Sequence, residues 1–290
     1  MKKIKFLFLL ISTVIFAQQS VLDQKISTII KGKKATVGVA VLSFEDNFRY
    51  NKNANKKLPM LSVFKFHIAA AVLDWVDQGK LSLDQKIFIT KKDLLEDTWS
   101  PIREKFPNGN VEMSLDEMIY YTVAWSDNNG CDILLRLIGG TETVQKLMDS
   151  KGVKNFQIKN NEEQMHKGIQ YLYENYTTPN SLAQLYKDFY QGKILSEKST
   201  EYLYNIMLNT ETGTNKLKEQ LPKKVIAHKT GSSGKTENLT VAENDSGIVT
   251  LPNGNHYSIV VFISDSTESE VVNCKMVSDI SKTVWDYFNK

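Results

Sequence analysis

Ser62 and Lys65 stand three residues apart in Ser62-Val63-Phe64-Lys65, a spacing that puts a hydroxyl and an amine on one face of a helix, about one turn apart. A serine hydroxyl is a weak nucleophile until a neighbouring base takes its proton, and a lysine whose ammonium is disfavoured by apolar surroundings can be that base. The surroundings are apolar: Val63, Phe64, Phe66, Ile68 and Ala69 to Leu73. The spacing by itself is a weak signal, since Ser232 and Lys235 repeat it. The first copy differs by opening a helix, where unpaired backbone N–H groups favour developing negative charge. A helix cap is the other role open to Ser62. A lysine inside an apolar stripe is costly unless it is paired or functional.

Two more polar clusters accompany it, Ser126-Asp127-Asn128 and Lys229-Thr230-Gly231. Either alone is explained by ordinary turn chemistry. A carboxylate pair, Glu162-Glu163, follows Asn160-Asn161 and precedes Gln164-Met165-His166. Considered alone, it reads as solvated surface.

The elements that must position these residues are strands at both ends and helices between. Val21 to Ile30 has helical apolar spacing, and Thr36 to Leu42 reads as a strand. Val225 to Ala227 leads into the Lys-Thr-Gly turn. Gly247 to Leu251 and Tyr257 to Ser264 flank Pro252-Asn253-Gly254-Asn255, a hairpin signal, and a helix from Val271 to Phe288 ends the chain. Ser62 to Gln78 predicts a buried central helix stopped by Gly79. Ser114-Leu115-Asp116-Glu117 is a capping box, Gly139-Gly140 ends a helix from Asp132, and Asn180 to Tyr190 is another helix. Strand, helix, strand order implies that the first and last segments share one antiparallel sheet, flanked by the terminal helices and joined to an all-helical lobe.

Met1-Lys2-Lys3, Lys5 and the apolar run Phe6 to Phe16 ending at Ala17 have the form of a signal peptide over residues 1–17, too short to span a membrane. Its three lysines account for the basic excess of 36 over 33 acidic residues, so the mature chain is near neutral and nucleic acid is not an expected partner. The expectation is secretion to the periplasm without a stable membrane anchor. The remaining roughly 270 residues suffice for one catalytic domain, with an α/β lobe over about 18–57 and 205–290 and a helical lobe over about 58–204. Cys131 and Cys274 are too few for a disulfide framework, and Cys131 reads as a buried thiol. His67, His166, His228 and His256 form no close pair, so no metal or cofactor is expected.

The three clusters in this order are S-x-x-K, S-D-N and K-T-G, and the chain resembles class A serine β-lactamases over nearly all of its mature length. The resemblance implies the β-lactamase and transpeptidase type of α/β fold, a monomer, small β-lactam substrates and antibiotic resistance. It makes Ser62 the nucleophile that attacks the lactam carbonyl, with Lys65 handling its proton. It gives Ser126 the proton passed to the leaving nitrogen, Asn128 the substrate's amide side chain, and Lys229 and Thr230 the substrate carboxylate. The N–H groups of Ser62 and Ser232 would form the oxyanion hole, and Glu162, on an Ω-shaped loop closing near Asn175 to Pro179, would activate the hydrolytic water. Either Lys65 or Glu162 could be the acylation base.

Four departures stand out. His166 occupies the place of an asparagine that helps hold the water. Asn160 and Asn175 replace the arginine and aspartate that pair across the loop neck. These, with Gln164-Met165-His166 and Thr98-Trp99-Ser100-Pro101, resemble the PER-type extended-spectrum subgroup, in which Trp99 would wall the site entrance and a wider cavity would admit oxyimino-cephalosporins. No arginine follows the Lys-Thr-Gly cluster, so Lys216 is the candidate substitute near the substrate carboxylate. A penicillin-binding D-alanyl-D-alanine peptidase or a β-lactam-sensing domain would share the nucleophile but lack an efficient deacylating base.

Overall fold

The structure, a computed structural model, describes residues 20–46 and 48–289. The leader expected over residues 1–17 lies outside them. In chain order the elements are α1 (residues 20–30), β1 (Thr36–Ser43), β2 (Arg49–Lys52), β3 (Leu58–Pro59), α2 (Phe64–Asp77), β4 (Lys86–Ile89), α3 (Pro101–Lys105), β5 (Val111–Ser114), α4 (Leu115–Ala124), α5 (Asn128–Leu137), α6 (Thr141–Ser150), α7 (Glu162–Met165), α8 (Ile169–Tyr173), β6 (Tyr176–Thr177), α9 (Pro179–Tyr190), α10 (Glu197–Leu208), β7 (Ile226–Ser232), β8 (Thr240–Thr250), β9 (His256–Ser266) and α11 (Glu270–Phe288).

Two apolar sets alternate along the same strands, as the two-residue period of a strand requires when both faces are covered. Val37, Val39, Val41, Ile259, Val261 and Ile263 pack with Leu22 and Ile26 of α1 and with Val277, Ile280 and Val284 of α11. Ala40, Leu42, Ile248, Val260 and Phe262 face the other way, onto α2, α9 and α10. The sheet is antiparallel with strand order β2-β1-β9-β8-β7, and β1 pairs with β9 along its whole length, joining the two ends of the chain. The expected sheet flanked by terminal helices is therefore present. Two short two-stranded sheets, β3 with β6 and β4 with β5, lie among the helices. No helix of the described residues is long and apolar enough to cross a membrane, and Cys131 and Cys274 are buried and unbridged.

Two strand boundaries differ from the sequence expectation, for one reason. Lys229, Thr230 and Gly231 do not form a turn; β7 runs through them to Ser232, and β8 begins at Thr240 instead of Gly247. Glu243, Asn244 and Asp245 carry the ladder although they are polar, because each is buried against a partner: Ser232, the Pro59 carbonyl and His228 respectively.

The segment carrying Glu162 leaves and rejoins the body at one neck. Asn175 is fully buried there; its Oδ1 accepts from the N–H of Lys159 at 2.7 Å and of Asn160 at 2.9 Å, and its Nδ2 donates to the Asn160 carbonyl at 2.7 Å. The Asn160 amide in turn donates to the Tyr171 carbonyl at 3.0 Å and to Glu174 at 2.8 Å. Neutral amides thus close the neck without an Asn160–Asn175 charge pair. Just beyond it, Met60 N–H donates to the Asn175 carbonyl at 2.9 Å and β6 pairs with β3, so the loop is stitched to the chain entering Ser62. Asn175→Ala strips two buried N–H groups and a carbonyl of their partner, and each unsatisfied group costs on the order of 1–3 kcal/mol. The expected loss in urea denaturation is about 3 kcal/mol; a loss below about 0.5 kcal/mol would mean that the amide does not hold the neck.

Candidate active site

Ser62 lies in a 3-10 turn, Leu61–Val63, immediately before α2. Neither the turn nor α2 has a side-chain cap, so Ser62 does not cap the helix. Leu61 holds φ of 46°, a left-handed conformation that costs a branched side chain about 1–3 kcal/mol and that the surrounding structure must impose. Asn244 of β8 helps impose it by donating to the carbonyls of Pro59 at 2.8 Å and Met60 at 3.3 Å. On the other side Gly231 of β7 closes in: a Cβ there would lie 2.4 Å from the Met60 carbonyl oxygen and 3.1 Å from Ser62 N. Glycine is the residue that permits β7 to approach the turn.

Lys65 is wholly buried, and its surroundings are not the apolar pocket expected from its neighbours. Its Nζ donates to Ser62 Oγ at 2.9 Å, to the Ser126 carbonyl at 2.8 Å and to Asn128 Oδ1, and it pairs with Glu162 Oε1 at 2.8 Å. The Ser62 hydroxyl points its own proton at Glu162 Oε1, 3.4 Å away. Three separate segments, the turn before α2, the start of α5 and α7, therefore supply oxygens to one ammonium.

Two of these segments, the start of α5 and α7, are each held by a buried carboxylate. Asp127 caps α5 at Gly130 N, accepts from Ile102 N at 2.7 Å, and receives the Ser100 hydroxyl, which fastens Ser126 and Asn128 to α3. Asp132, one helical turn beyond Asn128, accepts from the N–H of Glu162 at 2.8 Å and of Glu163 at 2.9 Å, fixing the first turn of α7. His166 does not touch the Glu162 carboxylate: its Nδ1 lies 2.7 Å from the Glu162 carbonyl and its Nε2 3.3 Å from Thr98 Oγ1. Thr98 also accepts from Asn128 Nδ2 at 2.7 Å.

On the opposite wall Lys229 donates to Ser126 Oγ at 2.9 Å and to the Thr230 carbonyl at 3.0 Å. Burial, with the nearby Lys65 charge adding to it, holds its ammonium well below the ordinary lysine range, and Asp245 opposes this. Thr230 Oγ1 and Thr212 Oγ1 share a proton across 2.7 Å. Ser62, Trp99, Ser126, Thr230, Ser232 and Lys216 border one cleft of about 450 Å³. Trp99 is half exposed at its rim, and its indole N–H donates to the Trp125 carbonyl at 2.8 Å. Lys216 is buried and ion-paired with Glu243, not a solvated surface residue.

The expected residues therefore gather around Ser62: Trp99, Ser126, Asn128, Lys216, Thr230 and Ser232 border the cleft with it, Glu162 and His166 line an adjoining cavity, and Lys65 and Lys229 are buried against Ser62 and Ser126. Three residues at or beside the cleft escaped sequence reading as site residues: Asp132, Thr212 and Glu243. Asp132 had a visible signal, since it stands four residues after Asn128 and so shares its helix face. Glu243 stands in a run of four buried polar residues, Glu243 to Ser246, within a strand, but only the strand's true start reveals it.

Burial pushes the Asp132 carboxyl up to about 6, opposed by the N–H groups of Glu163 and Glu162 and reinforced by the Glu162 charge. Its folded value lies above the unfolded one, so its contribution to stability is full below pH of about 4 and is lost as pH rises through about 6. Carboxyl NMR should place the Asp132 midpoint near 6, with this component of unfolding free energy declining across that window. A midpoint below about 4.5 would contradict the burial argument.

Comparison with known proteins agrees with this geometry. A model of the β-lactamase enzyme family matches residues 21–288. The chain is 44% identical to β-lactamase VEB-1 of Pseudomonas aeruginosa over 99% of both chains. It is 39% identical to the extended-spectrum β-lactamase PER-1 of Pseudomonas aeruginosa, over 93% of this chain and 88% of that one. The crystal structure of TLA-3 extended-spectrum β-lactamase superimposes with a TM-score of 0.92 at 50% identity, covering 94% of this chain and 100% of the other. With the three serine and lysine clusters brought to one cleft and these relatives matched end to end, the chain belongs to the β-lactamase enzyme family, in its class A branch, and is a hydrolase.

Proposed function

We propose that this enzyme opens the β-lactam ring of penicillins and cephalosporins through an acyl-enzyme on Ser62, that oxyimino-cephalosporins are among its substrates, and that it acts in the periplasm as a resistance enzyme. The observation that carries the mechanism is the placing of Lys65 Nζ 2.9 Å from Ser62 Oγ and 2.8 Å from Glu162 Oε1. Lys65 donates to the serine oxygen while the serine donates to Glu162, so Glu162 takes the Ser62 proton and the Lys65 ammonium steadies both oxygens.

Ser62 Oγ then attacks the lactam carbonyl, and the N–H groups of Ser62 and Ser232, on the two elements that meet at Gly231, receive the developing oxyanion. As the carbon–nitrogen bond breaks, the Ser126 hydroxyl protonates the nitrogen. Lys229, hydrogen-bonded to that hydroxyl and with its ammonium disfavoured by burial, replaces the proton, and the proton that Glu162 took from Ser62 passes across Lys65 to recharge Lys229, so that Glu162 is again a carboxylate. Asn128 meets the acyl side chain's amide. The restored Glu162 carboxylate next takes a proton from water as the water oxygen bonds to the acyl carbon, and returns it to Ser62 Oγ as the ester bond breaks, with His166 holding the α7 turn through the Glu162 carbonyl. Lys229 and Thr230 bind the ligand carboxylate, since Lys229 makes its hydrogen bonds to neutral oxygens alone and the threonine pair has a proton to offer.

The wider substrate range rests on a cavity of about 350 Å³ that runs from Ser62 beneath the Glu162 loop. Met165, Ile169 and Leu172 wall one side and Leu239 and Val241 the other, an apolar space suited to a bulky oxyimino side chain. PER-1 and TLA-3 are named extended-spectrum enzymes, which supports the same reading.

Three variants test it. With a penicillin, Glu162→Ala should acylate more slowly, with Lys65 left to take the Ser62 proton, yet accumulate a protein species heavier by one intact ligand because deacylation is lost altogether; Ser62→Ala should show neither adduct nor turnover, and wild type should turn over without a lasting adduct. Full turnover by Glu162→Ala would remove Glu162 from the deacylation step. Gly231→Ala should lower kcat/KM about 100-fold by displacing an oxyanion donor. Efficient penicillin hydrolysis with no detectable turnover of cefotaxime or ceftazidime would refute the extended range.

A further inference from the structure

Lys216 stands on the cleft wall where a cation could meet the ligand carboxylate, yet its charge is already met. It pairs with Glu243, both side chains are almost fully buried, and its other hydrogen bond runs to the Asn244 carbonyl at 3.3 Å. Glu243 sits directly across the β7–β8 ladder from Ser232, and the Ser232 hydroxyl donates to Glu243 Oε2 at 2.9 Å. Both groups border the same cleft as Ser62 and Thr230.

We propose that Glu243 is a specificity-determining residue that neutralises Lys216 and turns the Ser232 proton away from the cleft, leaving Lys229 and Thr230 to hold the carboxylate of a β-lactam. The inference rests on the function proposed above. A hydroxyl has one proton; Ser232 spends it on Glu243 and presents only lone pairs to an anionic ligand. The Lys216–Glu243 pair has no net charge, and because it is removed from water, Glu243 repels a second carboxylate nearly as strongly as Lys216 attracts it. A carboxylate in this cleft thus finds its net attraction at Lys229, and compact monoanionic β-lactams bind more weakly than the two lysines of the wall suggest.

Stopped-flow acylation by a monoanionic cephalosporin separates the dissociation constant before acylation from the limiting acylation rate. Glu243→Gln frees Lys216, and the dissociation constant should fall about tenfold with the limiting rate within about threefold of wild type, the worth of one charge-assisted contact. Lys216→Met leaves Glu243 as a bare anion and should raise the constant by a similar factor. The double variant replaces the pair by neutral side chains, a change that buried pairs tolerate well even where single changes do not fold. It should return to within about threefold of wild type. A double variant binding tenfold or more weaker than wild type would overturn the proposal, because Lys216 would then anchor the carboxylate despite Glu243. Absence of any Ser62 adduct with the Glu162→Ala enzyme would instead strike at the acyl-enzyme reading itself.

Discussion

The ammonium of Lys65 is the point on which the rest of the structure depends. A cation with no exposure to water is stable only where oxygens replace its hydration. Here those oxygens come from Ser62, Ser126, Asn128 and Glu162. No two adjacent elements could supply them, so the turn before α2, the start of α5 and α7 must all arrive at the centre of the molecule together. The Ser62 hydroxyl, the Ser126 carbonyl and the Glu162 carboxylate are thereby brought within hydrogen-bond distance of a common partner by the requirement to satisfy one charge.

Satisfying that charge requires further polar groups behind it. Asp127 and Asp132 are both buried, and each spends its carboxylate on backbone N–H groups, of α3 and α5 in one case and of α7 in the other. Their negative charges also lie close enough to Lys65 to offset part of its desolvation. The cost is a raised carboxyl pKa at both, and a strained backbone at Leu61 and Ser126, each with positive φ. Strain at these two positions lies beside the Ser62 hydroxyl and at Ser126, where the surrounding structure must hold it.

The opposite wall follows a different rule. Lys229 is buried with neutral hydrogen-bond partners, whereas Lys216 is buried with a carboxylate. The first arrangement leaves a cation available to a ligand and to Ser126; the second removes one. A lysine at the edge of a cleft is thus no guide to ligand charge until its partner is known. The neck of the Glu162 loop makes a similar point, since Asn175 closes it with amide hydrogen bonds to backbone while the ion pair there is made by Lys159 and Glu174.

By itself the sequence determined the pieces with short-range causes. The period-two runs of β1 and β9, the apolar length of α2, the capping box at Ser114 and the three-residue spacing of Ser62 and Lys65 all follow from local geometry, and the three clusters together carried the resemblance to class A β-lactamases. Tertiary structure alone decided what those residues touch. Lys65 looks apolar in its helix yet sits among oxygens brought from positions 126, 128 and 162. Lys229 to Gly231 look like a turn yet continue a strand, because Glu243, Asn244 and Asp245 find buried partners far along the chain. The physical reason is the same in each case: helix and strand periods are written in neighbouring residues, whereas the partner that satisfies a buried charge is selected by packing across the fold and leaves no mark beside it.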